Sequence, residues 1–266
     1  MHGLVGDAHP GGAVVEIEGK LAVIVGGASG MARASAELLH KRGASVAIVD
    51  LPTSAGAEVA AGLDGSFHAL DVTDEDAVER VLAEAVEALG GLHIAVNTAG
   101  GGVAARTLGK KGPHPLAEFR QVIELNLIAT FNLNRLQALA MSTNEPEEGE
   151  RGIIINTSSI AAFEGQIGQV AYTAAKAGIA GMALTMARDL GSLGIRVVAI
   201  APSLFTTGIT KGIPDEFAEV LTKDAAFPKR MGKPEEYGRL VAAIVENPML
   251  NGSTIRLDAG QRFAPK

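Results

Sequence analysis

Leu21-Ala-Val-Ile-Val25 runs directly into Gly26-Gly-Ala-Ser-Gly30, and helix formers then continue to about Arg42. A short apolar run closed by glycines reads as a buried strand, and the periodic residues beyond it read as a helix. That order constrains the fold strongly. A strand that feeds a helix must recross the sheet face before pairing again, which makes the sheet parallel and the crossovers right-handed. The pattern recurs along the chain. Strands are predicted over residues 45–49, 66–70, 93–96, 153–155, 197–200 and 254–257, and helices over 74–89, 116–140 and 171–193. Thr73 is the expected N-cap of the helix over 74–89. The implied architecture is α/β: a doubly wound Rossmann fold, one parallel sheet with helices on both faces. No repeat or low-complexity stretch divides it, so residues 16–266 are expected to form a single domain. Residues 1–15 are rich in glycine and lack periodicity, and are expected to be a flexible N-terminal extension.

The glycine turn points to a ligand. Gly26 permits a tight turn, and Gly30 lets the backbone approach a pyrophosphate at a helix N-terminus. The motif gains weight from its place between a strand and a helix. Asp50 lies twenty residues past Gly30, at the end of the second strand. A carboxylate there can accept from both ribose hydroxyls and would repel a 2′-phosphate, which favours NAD over NADP. The competing reading is a capping or turn aspartate. Arg33 is the nearby cation that could reach a phosphate.

A second constellation supplies chemistry. Tyr172 and Lys176 are four residues apart in a helical stretch, so they share a face one turn apart. Free tyrosine, with a pKa of about 10, is a poor base at neutral pH. A nearby ammonium is expected to favour the phenolate, letting the tyrosine exchange a proton with an alcohol or carbonyl. Ser159 lies thirteen residues before Tyr172, where residues 152–158 read as a buried strand, and its hydroxyl can hold the same substrate oxygen. Strand ends of this kind face the ligand crevice of an open α/β sheet. The set suits hydride transfer to or from a carbonyl. The competing reading of the Tyr–Lys pair alone is a solvated helix face.

Composition narrows the classes. The 266 residues include 33 glycines, 47% hydrophobic residues and no cysteine. Disulfides, thiolate catalysis and cysteine-ligated metals are therefore excluded, and the histidines have no ligand spacing, so no metal is expected. A net charge of −7 leaves no footprint for nucleic acid. No apolar run is long enough to span a membrane. The first residues resemble neither a secretory signal nor a transit peptide, and a cytoplasmic location is expected.

Together these residues resemble the short-chain dehydrogenase/reductase family, over nearly the whole chain from about Lys20 to Arg262. The resemblance implies catalytic roles for Ser159, Tyr172 and Lys176, and a proton-relay role for Asn126 in Glu124-Leu-Asn-Leu127. It implies cofactor contacts from Gly26, Ser29, Gly30, Met31, Asp50, Asp71, Val72, Asn97, Ala99, Gly100, Tyr172, Lys176, Pro202, Leu204 and Thr206, with Thr207 as an alternative to Thr206. Substrate contacts are implied for Ser159, Gln166 and Tyr172. The pattern departs at Val25, where the family has threonine, and at Ala32, where it has glycine. Residues 144–152, 161–166, 201–205, 227–230 and 246–252 resemble one subfamily, the type-2 3-hydroxyacyl-CoA dehydrogenases. That implies NAD, a short or 2-methyl-branched 3-hydroxyacyl-CoA or a steroid-like alcohol as small-molecule substrate, and a homotetramer. Two other functions stay open: an NADPH-dependent 3-oxoacyl carrier-protein reductase, and a non-catalytic NAD-binding sensor or scaffold. Residues 145–150 read as a solvated acidic loop, Lys110 and Lys111 as solvated or in contact with CoA phosphates, and residues 205–227 as a substrate lid.

Overall fold

The computed structural model describes residues 16–208 and 215–264; the expected N-terminal extension and part of the expected lid lie outside them. Seven strands form the sheet: β1 (Leu21–Val25), β2 (Ser45–Asp50), β3 (Ser66–Ala69), β4 (Ile94–Asn97), β5 (Gly152–Thr157), β6 (Ile195–Pro202) and β7 (Thr254–Leu257). They are all parallel and run in the order β3-β2-β1-β4-β5-β6-β7. The order reverses between β1 and β4, so their carboxyl ends diverge and open a crevice.

Helices cover both faces because the central strands are apolar on both. Ile24, Ile48, Val96 and Ile155 pack with α1 (Gly30–Lys41) and α8 (Pro234–Glu246) in one core. Val23, Val25, Ala95 and Ile154 alternate to the other face, against α3 (Glu75–Leu89), α5 (Ala129–Ser142) and α6 (Val170–Leu190). The remaining helices are α2 (Gly56–Ala61), α4 (Leu116–Ile123) and α7 (Asp215–Thr222).

Several expectations need correction. Asp74, not Thr73, caps α3: its carboxylate accepts from the Ala77 amide at 3.1 Å. Thr73 instead donates to the Asp71 carboxylate. The helix expected over 116–140 is broken by a π-helical turn, Glu124–Ile128, that separates α4 from α5. The acidic loop is not simply solvated. Glu150 makes a two-pronged pair with Arg196, at 2.8 and 2.9 Å, and Glu147 pairs with Lys20. Arg196 also donates to the carbonyls of Ile244, Val245, Asn247 and Leu250, satisfying the orphan acceptors at the end of α8. Lys110 and Lys111 are exposed at the tip of a small ribbon formed by Leu108–Gly109 and Gly112–Pro113.

Candidate active site

The crevice beyond the carboxyl ends of β1 and β4 encloses about 1010 Å³. One end is built by the glycine turn. Gly26 has φ +80°, and a Cβ there would meet Thr98 Oγ1 at 2.7 Å. Gly30 has φ +55° and starts α1, and a Cβ there would crowd the Thr207 side chain at 3.1 Å. Ser29 is exposed in the crevice and its hydroxyl makes no capping bond, so the N-terminus of α1 keeps donors for an anion. At the neighbouring strand end, Thr98 Oγ1 donates to the Val25 carbonyl at 3.0 Å.

Asp50 ends β2 and lines the crevice beside Leu51, Asp71 and Val72. One carboxylate oxygen accepts from the Ala28 amide at 2.9 Å, the other from the Leu51 amide at 2.7 Å. The aspartate therefore steadies the glycine turn while each oxygen retains a lone pair for a sugar hydroxyl. The Thr73 amide and hydroxyl hold the Asp71 carboxyl below its ordinary pKa. Among the described residues lining the crevice, Lys176 is the only basic one. Arg33 is not among them and pairs with Glu37 along α1.

At the other end stand Ser159, Tyr172 and Lys176, all lining the crevice. Ser159 follows β5 and caps a 3-10 turn, accepting from the Ala161 amide at 3.1 Å. Tyr172 and Lys176 lie on the first turns of α6, with Lys176 Nζ 5.6 Å from the tyrosine ring centroid. The ammonium donates to the Thr157 carbonyl at 2.9 Å. Burial lowers the Lys176 pKa to about 8. The expected lowering of Tyr172 by the ammonium is not found: burial raises its pKa, opposed by a hydrogen bond with Ser159. Desolvation of the phenolate outweighs the help of its neighbours.

Asn126 sits in the π-helical turn, fully buried. Its side chain donates to the carbonyls of Gly101 (2.6 Å) and Val122 (2.8 Å) and accepts from the Gly101 amide. Its own carbonyl accepts from Thr130 Oγ1 at 2.6 Å. A Cβ at Gly100 would fall 2.6 Å from Asn126 Oδ1 and 3.3 Å from Lys176 Nζ, so this glycine lets Asn126 and Lys176 approach one another.

Met31, Ala99, Gly100, Pro202 and Leu204 all line the crevice as well. Three expected site residues sit elsewhere. The Asn97 side chain is turned into a buried amide cluster with Asn134, Gln137 and Asn156, at 2.8–3.0 Å. Thr207, rather than Thr206, faces the crevice. Gln166 lies outside it and reaches the Ala264 carbonyl at 3.4 Å.

Three residues that the sequence did not single out support the site. The Ser158 hydroxyl donates to the Lys176 carbonyl at 2.8 Å, pinning α6 to the end of β5. The Thr157 hydroxyl lies 2.7 Å from both the Asn97 carbonyl and Tyr237 Oη. The carbonyl can only accept, so Thr157 spends its proton there and the buried Tyr237 donates to Thr157. Only the run through Thr157-Ser-Ser159 hinted at the first two, and nothing in the sequence marked Tyr237.

Comparison with known proteins agrees with this geometry. A family model described as Enoyl-(Acyl carrier protein) reductase matches residues 26–262. The 3-hydroxyacyl-CoA dehydrogenase type-2 of Homo sapiens is 49% identical over 254 residues, covering 94% of this chain and 97% of the relative. A crystal structure of 3-hydroxyacyl-CoA dehydrogenase type-2 from Mycobacterium avium superposes with a TM-score of 0.89 at 42% identity, covering 93% of this chain and 98% of that one. A 7α-hydroxysteroid dehydrogenase, solved with NADH and 7-oxo glycochenodeoxycholic acid, gives a TM-score of 0.82 at 28% identity, covering 95% and 98%. The chain belongs to the short-chain dehydrogenase/reductase family, oxidoreductases that use a nicotinamide cofactor.

Proposed function

We propose that the protein oxidises the secondary alcohol of a short or 2-methyl-branched 3-hydroxyacyl-CoA, with NAD as the hydride acceptor. The observation that carries this reading is the 49% identity to a 3-hydroxyacyl-CoA dehydrogenase over 94% of the chain. The Ser159, Tyr172 and Lys176 crevice supports it.

The crevice fits a dinucleotide. Gly26, Ser29, Gly30 and Met31 would hold the pyrophosphate, Asp50 the adenosine ribose, Asp71 and Val72 the adenine, and Ala99, Gly100, Pro202, Leu204 and Thr207 the nicotinamide half. Two carboxylates at one end, with no cation beside them among the described residues, favour NAD over its 2′-phosphorylated form. When bound, the nicotinamide supplies the acceptor for the substrate hydride. Ser159 holds the substrate oxygen. Tyr172 takes the hydroxyl proton, a step that typically contributes on the order of a hundred- to ten-thousand-fold. Lys176 orients the ribose, and the Ser159 hydroxyl is the neighbour that favours the phenolate as Tyr172 loses its proton. Asn126 fixes the loop at Gly101 against α4, holding the wall beside Lys176.

The reading includes a homotetramer in the cytoplasm. Exposed Ile128, at the end of the π-helical turn, and exposed Phe131 and Leu139 on α5 support self-association. No described helix is long and apolar enough to cross a membrane.

The test is NADH formation from 3-hydroxybutyryl-CoA and 2-methyl-3-hydroxybutyryl-CoA, with NADP and a hydroxysteroid in parallel. Turnover of the thioesters with NAD, at least about tenfold above NADP in kcat/KM, is expected. Preference for NADP would overturn the role of Asp50, and steroid turnover alone would overturn the substrate.

A further inference from the structure

Five residues beyond Ser159, Glu164 enters a closed ring of charges with the C-terminal segment. Arg256, on β7, meets Glu164 Oε1 at 2.8 Å and Asp258 Oδ2 at 2.7 Å. Arg262 meets the same two carboxylates at 3.3 and 3.1 Å. The second Glu164 oxygen accepts from the Phe263 amide at 3.2 Å, and the Arg256 guanidinium lies 5.3 Å from the Phe163 ring centroid. Each carboxylate thus bridges two guanidiniums. Glu164 and Arg256 are only about one-fifth exposed, so solvent screens their pair weakly.

The same segment is tied on its other side. Gln261 is 2% exposed and donates to the Leu221 carbonyl of α7 at 2.8 Å. The amides of Ala226 and Phe227, just past α7, both donate to the Ala259 carbonyl. Ala259 and Gly260 have φ of 52° and 71°, a left-handed turn that lets the chain reach from one attachment to the other. A Cβ at Gly260 would crowd Ala226 Cβ at 3.0 Å, so glycine suits this turn on both counts.

We propose that residues 258–264 brace the loop that follows Ser159, a lining residue of the crevice, holding that loop at a fixed distance from the end of α7. Glu164 and Gln261 are then positioning residues that set how large an acyl group reaches Ser159 and Tyr172. They touch neither cofactor nor reacting atoms. The inference rests on the proposed thioester oxidation for its kinetic arm only.

The experiment compares Glu164→Gln and Gln261→Leu with wild type, using 3-hydroxyacyl-CoA substrates of four and eight carbons. Each variant is expected to raise the KM of at least one thioester about fivefold and to change the ratio of the two kcat/KM values. The kcat and the KM for NAD should stay within about twofold, as expected for lost substrate positioning. Hydrogen exchange supplies an arm that needs no turnover. In Glu164→Gln, the amides of Ala226 and Phe227 should exchange faster together with residues 160–169, because the brace links them. Loosening confined to residues 160–169, or an equal fall in kcat for both substrates with unchanged KM, would overturn the brace. If wild type turns over no thioester, the proposed substrate fails while the exchange result still decides the brace. Should Glu164→Gln not fold, Gln261→Leu carries the same two readouts from the opposite attachment.

Discussion

Lys176 is a lysine kept almost wholly out of water, 3% exposed, with its ammonium on a single carbonyl. Burial lowers its pKa to about 8, from an ordinary value of 10.5. The unfolded chain therefore binds more protons than the folded one between these two values. Stability gains from this residue as pH rises through that window, and the full penalty is present below pH 8. Lys176→Met should accordingly raise the melting temperature at neutral pH, with the advantage shrinking toward pH 10. A melting temperature that fell equally at all pH values would show that packing, not charge, dominates there. Tyr172 is displaced in the opposite direction, upward, by its own burial. Alcohol oxidation by the free enzyme needs the phenolate, so kcat/KM for oxidation should climb with pH into the alkaline range, while carbonyl reduction falls. Parallel pH profiles measured in both directions check this, and an oxidation rate that fell above neutrality would contradict it.

Among the elements, the strands were easiest to read, because runs such as residues 21–25 and 153–155 are apolar without interruption and buried on both faces. What escaped were features set by partners distant in the chain. The π-helical turn at Glu124–Ile128 interrupts a stretch whose local preferences are helical throughout, and it places Asn126 against Gly101, twenty-five residues away. Glu150 looked solvated because its neighbours are acidic, yet Arg196 on β6 draws it down to 14% side-chain exposure. That guanidinium is the C-terminal cap of α8. Glu150→Ala should strand a buried cation and destabilise the fold by about 3–5 kcal/mol, since removing one partner of a buried pair leaves the other uncompensated. Urea unfolding measures it. A loss under about 1 kcal/mol would mean that solvent reaches Arg196 in the variant and that the pair contributes only as an exposed one does.

At the level of the whole molecule, the sheet order brings residues from six separate segments of the chain to one crevice. Gly26 and Gly30, Asp50, Asp71, Gly100, Ser159 with Tyr172 and Lys176, and Pro202 all lie at or beyond the carboxyl ends of strands. This is why so much of the candidate site was legible: a residue just past a predicted strand in a parallel sheet has one place to go. The exceptions follow from side-chain direction, which strand position alone does not give. Asn97 occupies such a strand end but turns into the core, where three other amides satisfy it. Thr206 and Thr207 are adjacent, yet only Thr207 lines the crevice. The supporting contacts of Thr157 with Tyr237, eighty residues on, were equally out of reach of any local pattern. The central claim is that the Ser159–Tyr172–Lys176 end of this crevice moves the proton while a hydride passes to NAD. It is tested most directly by NADH formation from 3-hydroxybutyryl-CoA with wild type and Tyr172→Phe side by side, alongside an NAD binding titration. The account predicts turnover by wild type, a loss of about a hundredfold or more in the variant, and NAD affinity unchanged within about twofold. A variant with near-normal turnover would contradict it.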